Sequence, residues 1–296
     1  MSFSNLKRNR GGIDKLINAA ETAGGGTTKS YTDERIWKPT VDKVGNGYAV
    51  LRFLPANQDQ ELPWVRYWDH GFKGPTGKWY IERSLTSVGK DDPLGELNSK
   101  LWNSGIDADK EEARKQKRRL HYVSNVLVVS DPNNPQNEGK VFMYQYGKKI
   151  FDKVMDVMQP QFADETPINP FDFWEGANFK LKIRKVDGYW NYDKSEFDSP
   201  TALFDNDGQI EEVWKKAYPL AEFTAASNFK SYDELKQRLD TVLSGTISVG
   251  NVTNNMTEER PVASPVVDTT PVEAPVVAAA EEDDTMSYFE KLANNG

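Results

Sequence analysis

Residues Phe179–Val186 read Phe-Lys-Leu-Lys-Ile-Arg-Lys-Val, and this alternation constrains the fold more than any other stretch of the chain. Side chains on a strand point to opposite faces in turn. Phe179, Leu181 and Ile183 therefore face a core. Lys180, Lys182 and Arg184 face the other way and form a face of one sign, either an ordinary solvated face or one wall of a groove for a polyanion. Further strands are predicted around it. Residues 48–54 follow the turn Gly45-Asn-Gly47 and stop at Pro55, and 64–68 and 78–82 are candidates. Residues 124–130 (SNVLVVS) read as a buried strand, and 140–146 as another that Gly147 ends. Many short strands among few helices predict a mainly β, α+β protein with peripheral helices, built on a small barrel or sandwich.

Three segments carry the helical period. Ile150, Val154, Val157 and Met158 share one stripe of 148–158, and 210–218 is a second helix. Residues 231–244 are the clearest case. Ser231 precedes Glu234 by three residues, as in a capping box, and Gly245 stands where a C-cap glycine belongs. Residues 85–110, with Gly89, Pro93, Gly95 and Gly105, read as polar and irregular.

The two ends differ from this middle. Residues 1–30 form an arm. Lys7, Arg8 and Arg10 cluster, Ile13, Leu16, Ile17 and Ala20 predict a short amphipathic helix, and Gly24, Gly25 and Gly26 form a flexible link. Such a helix needs a surface to cover, so the arm reads as a docking element. Residues 245–296 hold nine acids and two bases, whereas residues 1–244 hold 36 acids and 35 bases. Seven of the eight net negative charges therefore reside in the tail, and the global acidity says nothing against a polyanionic partner for residues 31–244. Pro261, Pro265, Pro271 and Pro275 recur in the tail without apolar periodicity, which predicts disorder. It carries the acidic run Glu281, Glu282, Asp283 and Asp284 and then an apolar group, Tyr288, Phe289 and Leu292.

Composition excludes several chemistries. The chain has no cysteine and two histidines, His70 and His121. Disulfides, thiolate-ligated zinc, a cysteine nucleophile and a three-histidine metal site are all ruled out. No phosphate-binding or dinucleotide loop is present. No apolar run approaches the ~20 residues that span a bilayer, and the opening residues contain no secretory apolar region.

Basic and aromatic residues carry the remaining signal. Residues 114–122 (RKQKRRLHY) hold five positive charges, including Lys117, Arg118 and Arg119, and lead through Tyr122 into the buried strand. Phe142, Tyr144 and Tyr146 share one strand face, followed at once by Lys148 and Lys149. Tyr189 and Tyr192 follow the positive strand. Cations hold a phosphate backbone, and tyrosine faces stack unpaired bases at about 1–3 kcal/mol each. Together they predict a binder of single-stranded nucleic acid.

Several blocks, in one order, resemble the single-stranded DNA-binding, helix-destabilising proteins of T-even-type bacteriophages. They are GNGYAVLRFLP (45–55), DHGFK (69–73), GKWYIE (77–82), NVLVV (125–129), NEGKVFMYQYGKKIFDK (137–153), WEGANFKLKIRKV (174–186) and YDELKQ (232–237). The resemblance implies an OB-fold core over 31–244, a basic arm for cooperative contacts between neighbours on the strand, and an acidic tail for protein–protein interaction. It implies a DNA cleft formed by Arg52, Lys117, Arg118, Arg119, Tyr122, Tyr144, Tyr146, Lys148, Lys149, Tyr189 and Tyr192. It further implies partners among phage replication and recombination proteins, and a place in the cytoplasm of the infected bacterium. The family holds zinc with one histidine and three cysteines. Here His70 keeps its position, but Ser84, Asp92 and Gly95 stand at the others, so no structural zinc and no cofactor is expected.

Two other readings share some of these features. A sequence-tolerant RNA-binding or translation-control module would use the same cations and rings, because no residue pattern reads a 2′-hydroxyl. A metal-dependent nuclease would use Asp131, Glu138 and Lys140.

Overall fold

The computed structural model describes residues 33–58 and 60–244. The expectations for the arm (1–30) and the tail (245–296), including Lys7, Arg8, Arg10 and Gly245, lie outside the described residues. The chain divides into two units, residues 1–34 and 35–296. The second holds every strand and helix among the described residues.

Nine strands form its sheet: β1 (Ile36–Trp37), β2 (Gly47–Phe53), β3 (Trp64–Lys73), β4 (Trp79–Arg83), β5 (Arg119–Ser130), β6 (Val141–Tyr146), β7 (Phe179–Val186), β8 (Tyr189–Asn191) and β9 (Glu196–Phe197). The order β1-β6-β5-β2-β7-β8 runs across it. Among the described residues, only the β1–β6 pair is parallel.

The long strand β5 organises the sheet. Along one edge it pairs first with β3 and then with β2, and along the other with β6. Seven successive residues, Tyr122 to Val128, are buried, so both faces of the strand are covered. Tyr122, Val126 and Val128 face the main core, with Leu51, Phe53, Phe179, Leu181 and Ile183. On the other face Leu127 packs with Leu54, Phe173, Ile210 and Val213, and Val123 with Tyr67, Met143, Leu220 and Phe223. Asn125 is buried between these two groups, where it accepts from Tyr218 N and donates to Tyr218 O, both at 2.9 Å. That exchange satisfies the side-chain amide without water.

Among the described residues, five helices flank the sheet: α1 (Pro93–Asn103), α2 (Asp107–Lys115), α3 (Lys148–Met158), α4 (Asp207–Lys215) and α5 (Tyr232–Leu243). Among the described residues, no helix is long and apolar enough to cross a membrane. The expected helix at 148–158 is α3. The expected 210–218 helix begins earlier, at Asp207, because Asn206 caps it by accepting from Gly208 N. Helix α5 has the capping box of Ser231 and Glu234 and buries Leu235, Leu239 and Val242. The latter two pack with Phe72, Tyr80 and Leu94.

The expectation of an irregular 85–110 is corrected. This segment folds into a short 3-10 turn, Leu85–Val88, followed by α1 and α2. Asp92 and Pro93 explain the difference. Asp92 accepts from the N–H groups of Leu94 and Gly95, and Pro93 occupies the first helical position, where its fixed φ favours the helix and no N–H is needed. The proline that reads as a breaker is a helix start. The β7–β8 turn is equally local: Asp187 and Gly188 both have positive φ (50° and 88°), as a two-residue hairpin of primed type requires.

Candidate nucleic-acid interface

The register sets the geometry. Arg66 on β3 lies opposite Tyr122 on β5, and Tyr122 lies opposite Tyr146 on β6. Two residues beyond Tyr146, Lys148 and Lys149 open α3. Helix α3 starts at Gly147 with no side-chain cap and no acid in its first turn. Its first N–H groups lack intrahelical partners, and its dipole disfavours cations there. Two lysines at that end are unfavourable for the helix and suited to an anion. Lys148 is braced by Asp152 at 2.8 Å, one turn on.

The basic run joins α2 to β5. Arg118 donates to Thr86 Oγ1 at 2.8 Å and lies 4.9 Å from the centre of the Trp68 ring. Arg66 lies 5.3 Å from the same ring. Each such guanidinium–ring contact contributes about 0.5–2 kcal/mol and also leaves aromatic and cationic surface side by side. Arg119 is paired with Asp69. Lys117 is half-buried beside Arg118. Sequence reasoning missed Arg66 and Trp68. The signal was present: in a strand, Trp64, Arg66 and Trp68 fall on one face.

Other expected residues lie elsewhere. Arg52 is fully buried, and its NH2 donates to the carbonyls of Asp172 (2.9 Å), Phe173 (3.4 Å) and Thr201 (2.8 Å). Burial lowers its pKa, and nearby Asp172 opposes that. Its placement in the cleft is therefore corrected: this guanidinium ties β2 to the loops at 172 and 201. Tyr144 and Tyr146 are also core residues, 2% and 4% exposed. Tyr144 packs edge-on against Trp37, and the Tyr146 hydroxyl bonds Ser124 Oγ at 2.8 Å. Burial pushes both phenols up. Their shared face is the inner face of β6, which corrects the expectation of open stacking faces. Tyr122 is buried too, stacked on Phe151 with centroids 3.9 Å apart. Tyr192 is half-buried against the main core, and Tyr189 is 54% exposed.

The uniform positive face of β7 is also corrected. Lys180 pairs with Asp198 (2.7 Å), Lys182 with Glu196 (2.6 Å) and Arg184 with Asp193 (2.5 Å). The returning chain lays an acid beside each cation, so that face is a ladder of ion pairs.

The nuclease reading loses its carboxylates. Asp131 is buried, where it accepts from Trp37 Nε1 (2.9 Å), Asn137 Nδ2 (3.0 Å) and its own loop. Glu138 accepts from Asp131 N at 2.8 Å. Both brace the 131–138 turn. Lys140 precedes β6 in the sequence and is exposed.

The zinc implied by the resemblance does not fit the residues present. Asp92 Oδ1 accepts from Leu94 N and Gly95 N, each at 3.1 Å, and Oδ2 from Leu85 N and Ser84 Oγ, each at 3.0 Å. His70 Nε2 is 3.5 Å from Asp92 Oδ1. Gly95 has no donor, and the carboxylate lone pairs are taken. That falls short of the four ligands of a structural zinc site.

Residues 45–243 match the family model described as gp32 DNA binding protein like. The chain is similar to the single-stranded DNA-binding protein of Enterobacteria phage T2, 39% identical over 236 residues, covering 78% of this chain and 77% of that protein. It is likewise similar to the single-stranded DNA-binding protein of Enterobacteria phage T4, 40% identical over 226 residues, covering 75% and 74%.

Proposed function

From a chain that belongs to the gp32-like DNA-binding family, we propose a protein that coats and protects single-stranded DNA in phage replication, recombination and repair. It is a binding protein and not an enzyme. By holding the unpaired form it shifts melting toward single strands through mass action.

The observation that carries this reading is the group of Trp68, Arg66 and Arg118, with Lys117 adjoining Arg118 in the chain and Lys148 and Lys149 beyond the same row of strands. Cations for phosphates beside a ring for bases need no sequence information. The core that presents them is of OB type. The barrel-forming strands are β2, β3, β5, β6 and β7.

The basic arm, with Lys7, Arg8 and Arg10, links neighbours along the strand. The acidic tail covers the cleft when DNA is absent and recruits phage replication and recombination proteins, with Tyr288, Phe289 and Leu292 as the apolar contact. The protein works without zinc or another cofactor, in the cytoplasm of the infected bacterium.

Titration of a fluorescent DNA oligomer across salt concentrations tests this reading. With about three to five phosphate contacts, log affinity should fall against log salt with a slope of roughly -2 to -3.5. A salt-independent affinity would sink it. Competition by RNA of the same sequence separates the DNA reading from an RNA-binding one.

A further inference from the structure

Asp92 is 3% exposed, yet one chain of hydrogen bonds and one path through a buried imidazole lead from it to the basic run. The first runs through hydroxyls. Arg118 donates to Thr86 Oγ1 at 2.8 Å, Thr86 and Ser84 hydroxyls are 3.0 Å apart, and Ser84 donates to Asp92 Oδ2 at 3.0 Å. Each donor points toward the carboxylate, so the bonds polarise one another in one sense. The second runs through the imidazole. His70 Nε2 lies 3.5 Å from Asp92 Oδ1, and its Nδ1 lies 3.1 Å from Gln116 O. Both ring nitrogens face oxygens. The same carbonyl accepts from Asn98 Nδ2 at 3.2 Å. Gln116 is buried and directly precedes Lys117.

The 3-10 turn Leu85–Val88 brings these chains to the ring. Its Ser87 hydroxyl accepts from Trp68 N at 2.8 Å and donates to Trp68 O at 3.2 Å. Its Leu85 N donates to Asp92. One turn thus fixes Trp68 through Ser87 and Arg118 through Thr86, and Asp92 fixes the turn. Burial pushes the Asp92 carboxyl up, but His70 and the Gly95 and Leu85 N–H groups outweigh it and hold its pKa at about 2, so the anchor is charged.

We propose that the cluster of Asp92, Ser84, Thr86 and His70 is the positioning centre of the DNA interface: it sets Arg118 over Trp68 and holds the 116–118 backbone where a phosphate meets it. A carboxylate saturated by N–H and O–H donors organises this segment without a metal. Asp92 and Thr86 are positioning residues, acting through Arg118. The inference rests on the proposed binding of single-stranded DNA.

The test uses the full chain and a fluorescent oligothymidylate at several salt concentrations, with melting temperature and amide exchange measured in parallel. Thr86→Val keeps the volume and the bonds that Asp92 accepts from Ser84, Leu85, Leu94 and Gly95 but cuts the link to Arg118. It should weaken binding by about threefold to tenfold. Its salt slope should become shallower by about 0.7, the share of one phosphate contact. Its melting temperature should hardly move. Asp92→Asn places an amide N–H against donors; it should weaken binding by tenfold or more and speed amide exchange at 116–119. Should Asp92→Asn fail to fold, Thr86→Val decides alone. Wild-type affinity and slope in Thr86→Val would overturn the inference. So would a loss of affinity in either variant that leaves the slope unchanged and only follows a fall in melting temperature. If the wild-type chain shows no salt-dependent affinity for DNA, the proposed function fails instead. In that case, amide exchange at 116–119 in Asp92→Asn still reads the positioning: faster exchange supports it and unchanged exchange overturns it.

Discussion

Arg119 grips Asp69 at two points, Nε to Oδ1 at 2.8 Å and NH2 to Oδ2 at 2.9 Å. His121 Nε2 lies 2.9 Å from the same Oδ1, and His121 Nδ1 accepts from Gln145 at 2.9 Å. The fork is thus locked from both sides across the β3–β5 pair, where Asp69 and Arg119 are register partners. Arg119 is an expected phosphate contact that already has a carboxylate, so it can reach a phosphate only with the donors the fork leaves over.

Gly71 makes room for this fork. A Cβ there would fall within 3.0 Å of the NH1, NH2 and Cζ atoms of Arg119. Gly71→Ala should force the guanidinium off Asp69 and cost about 1–3 kcal/mol, as expected for a partly buried charged bond. Urea unfolding of a double-mutant cycle checks this. In an Arg119→Ala background the same change should cost close to nothing.

Acid should undo the same pair. Burial raises the Asp69 carboxyl, but His121 and Arg119 outweigh it and hold its pKa at about 2, below the ordinary 3.8. A depressed carboxyl pKa gives stability that is complete above about pH 4 and lost as pH falls from 3.8 to about 2. The shift corresponds to about 2 kcal/mol. The stability–pH curve of Asp69→Asn should therefore be flatter than wild type in that window. Equal acid limbs would contradict the pairing.

Arg52 should behave as a core residue. Arg52→Ala leaves three carbonyls without their donor and opens a cavity, at a cost of about 3–5 kcal/mol. Arg52→Lys should not restore the loss, because an ammonium cannot reproduce the planar geometry. Thermal unfolding measures the cost. The salt slope of DNA binding, taken on the folded fraction, should stay at the wild-type value.

The tyrosines should divide by exposure. Tyr144→Ala and Tyr146→Ala should each destabilise by about 3–5 kcal/mol, since each ring is enclosed. Tyr189→Ala should leave melting nearly unchanged and weaken DNA binding by roughly 1–3 kcal/mol if its exposed ring stacks a base. Paired melting curves and oligomer titrations separate the two groups. An unstable Tyr189→Ala, or a stable Tyr144→Ala, would reverse the division.

Deletion of residues 245–296 removes nine acids and two bases. Affinity for single strands should rise, most at low salt, where tail and DNA compete for the cleft with least screening. Titration of full-length and truncated protein at two salt concentrations reads the effect. Equal affinities would leave the tail without that role.

Local pattern was enough to specify several elements. The alternation of 179–186, the buried strand at 124–130, the stripe of 148–158 and the Ser231–Glu234 box each lie within one element, and each formed as its local pattern demands. The Asp92-Pro93 helix start is equally local and legible, although glycines and a proline in isolation read as breaks. Which face of β6 is inside, and so whether Tyr144 and Tyr146 meet bases or the core, depends on the assembled fold. So does the acid beside each cation of β7, which comes from residues 9 to 18 positions along the chain. The fold also brings Thr86 to Arg118, 32 positions away. A period of two separates the faces of a strand, but it carries no information about what covers either one. Burial and charge pairing act through space, and strand register and chain return choose the neighbours.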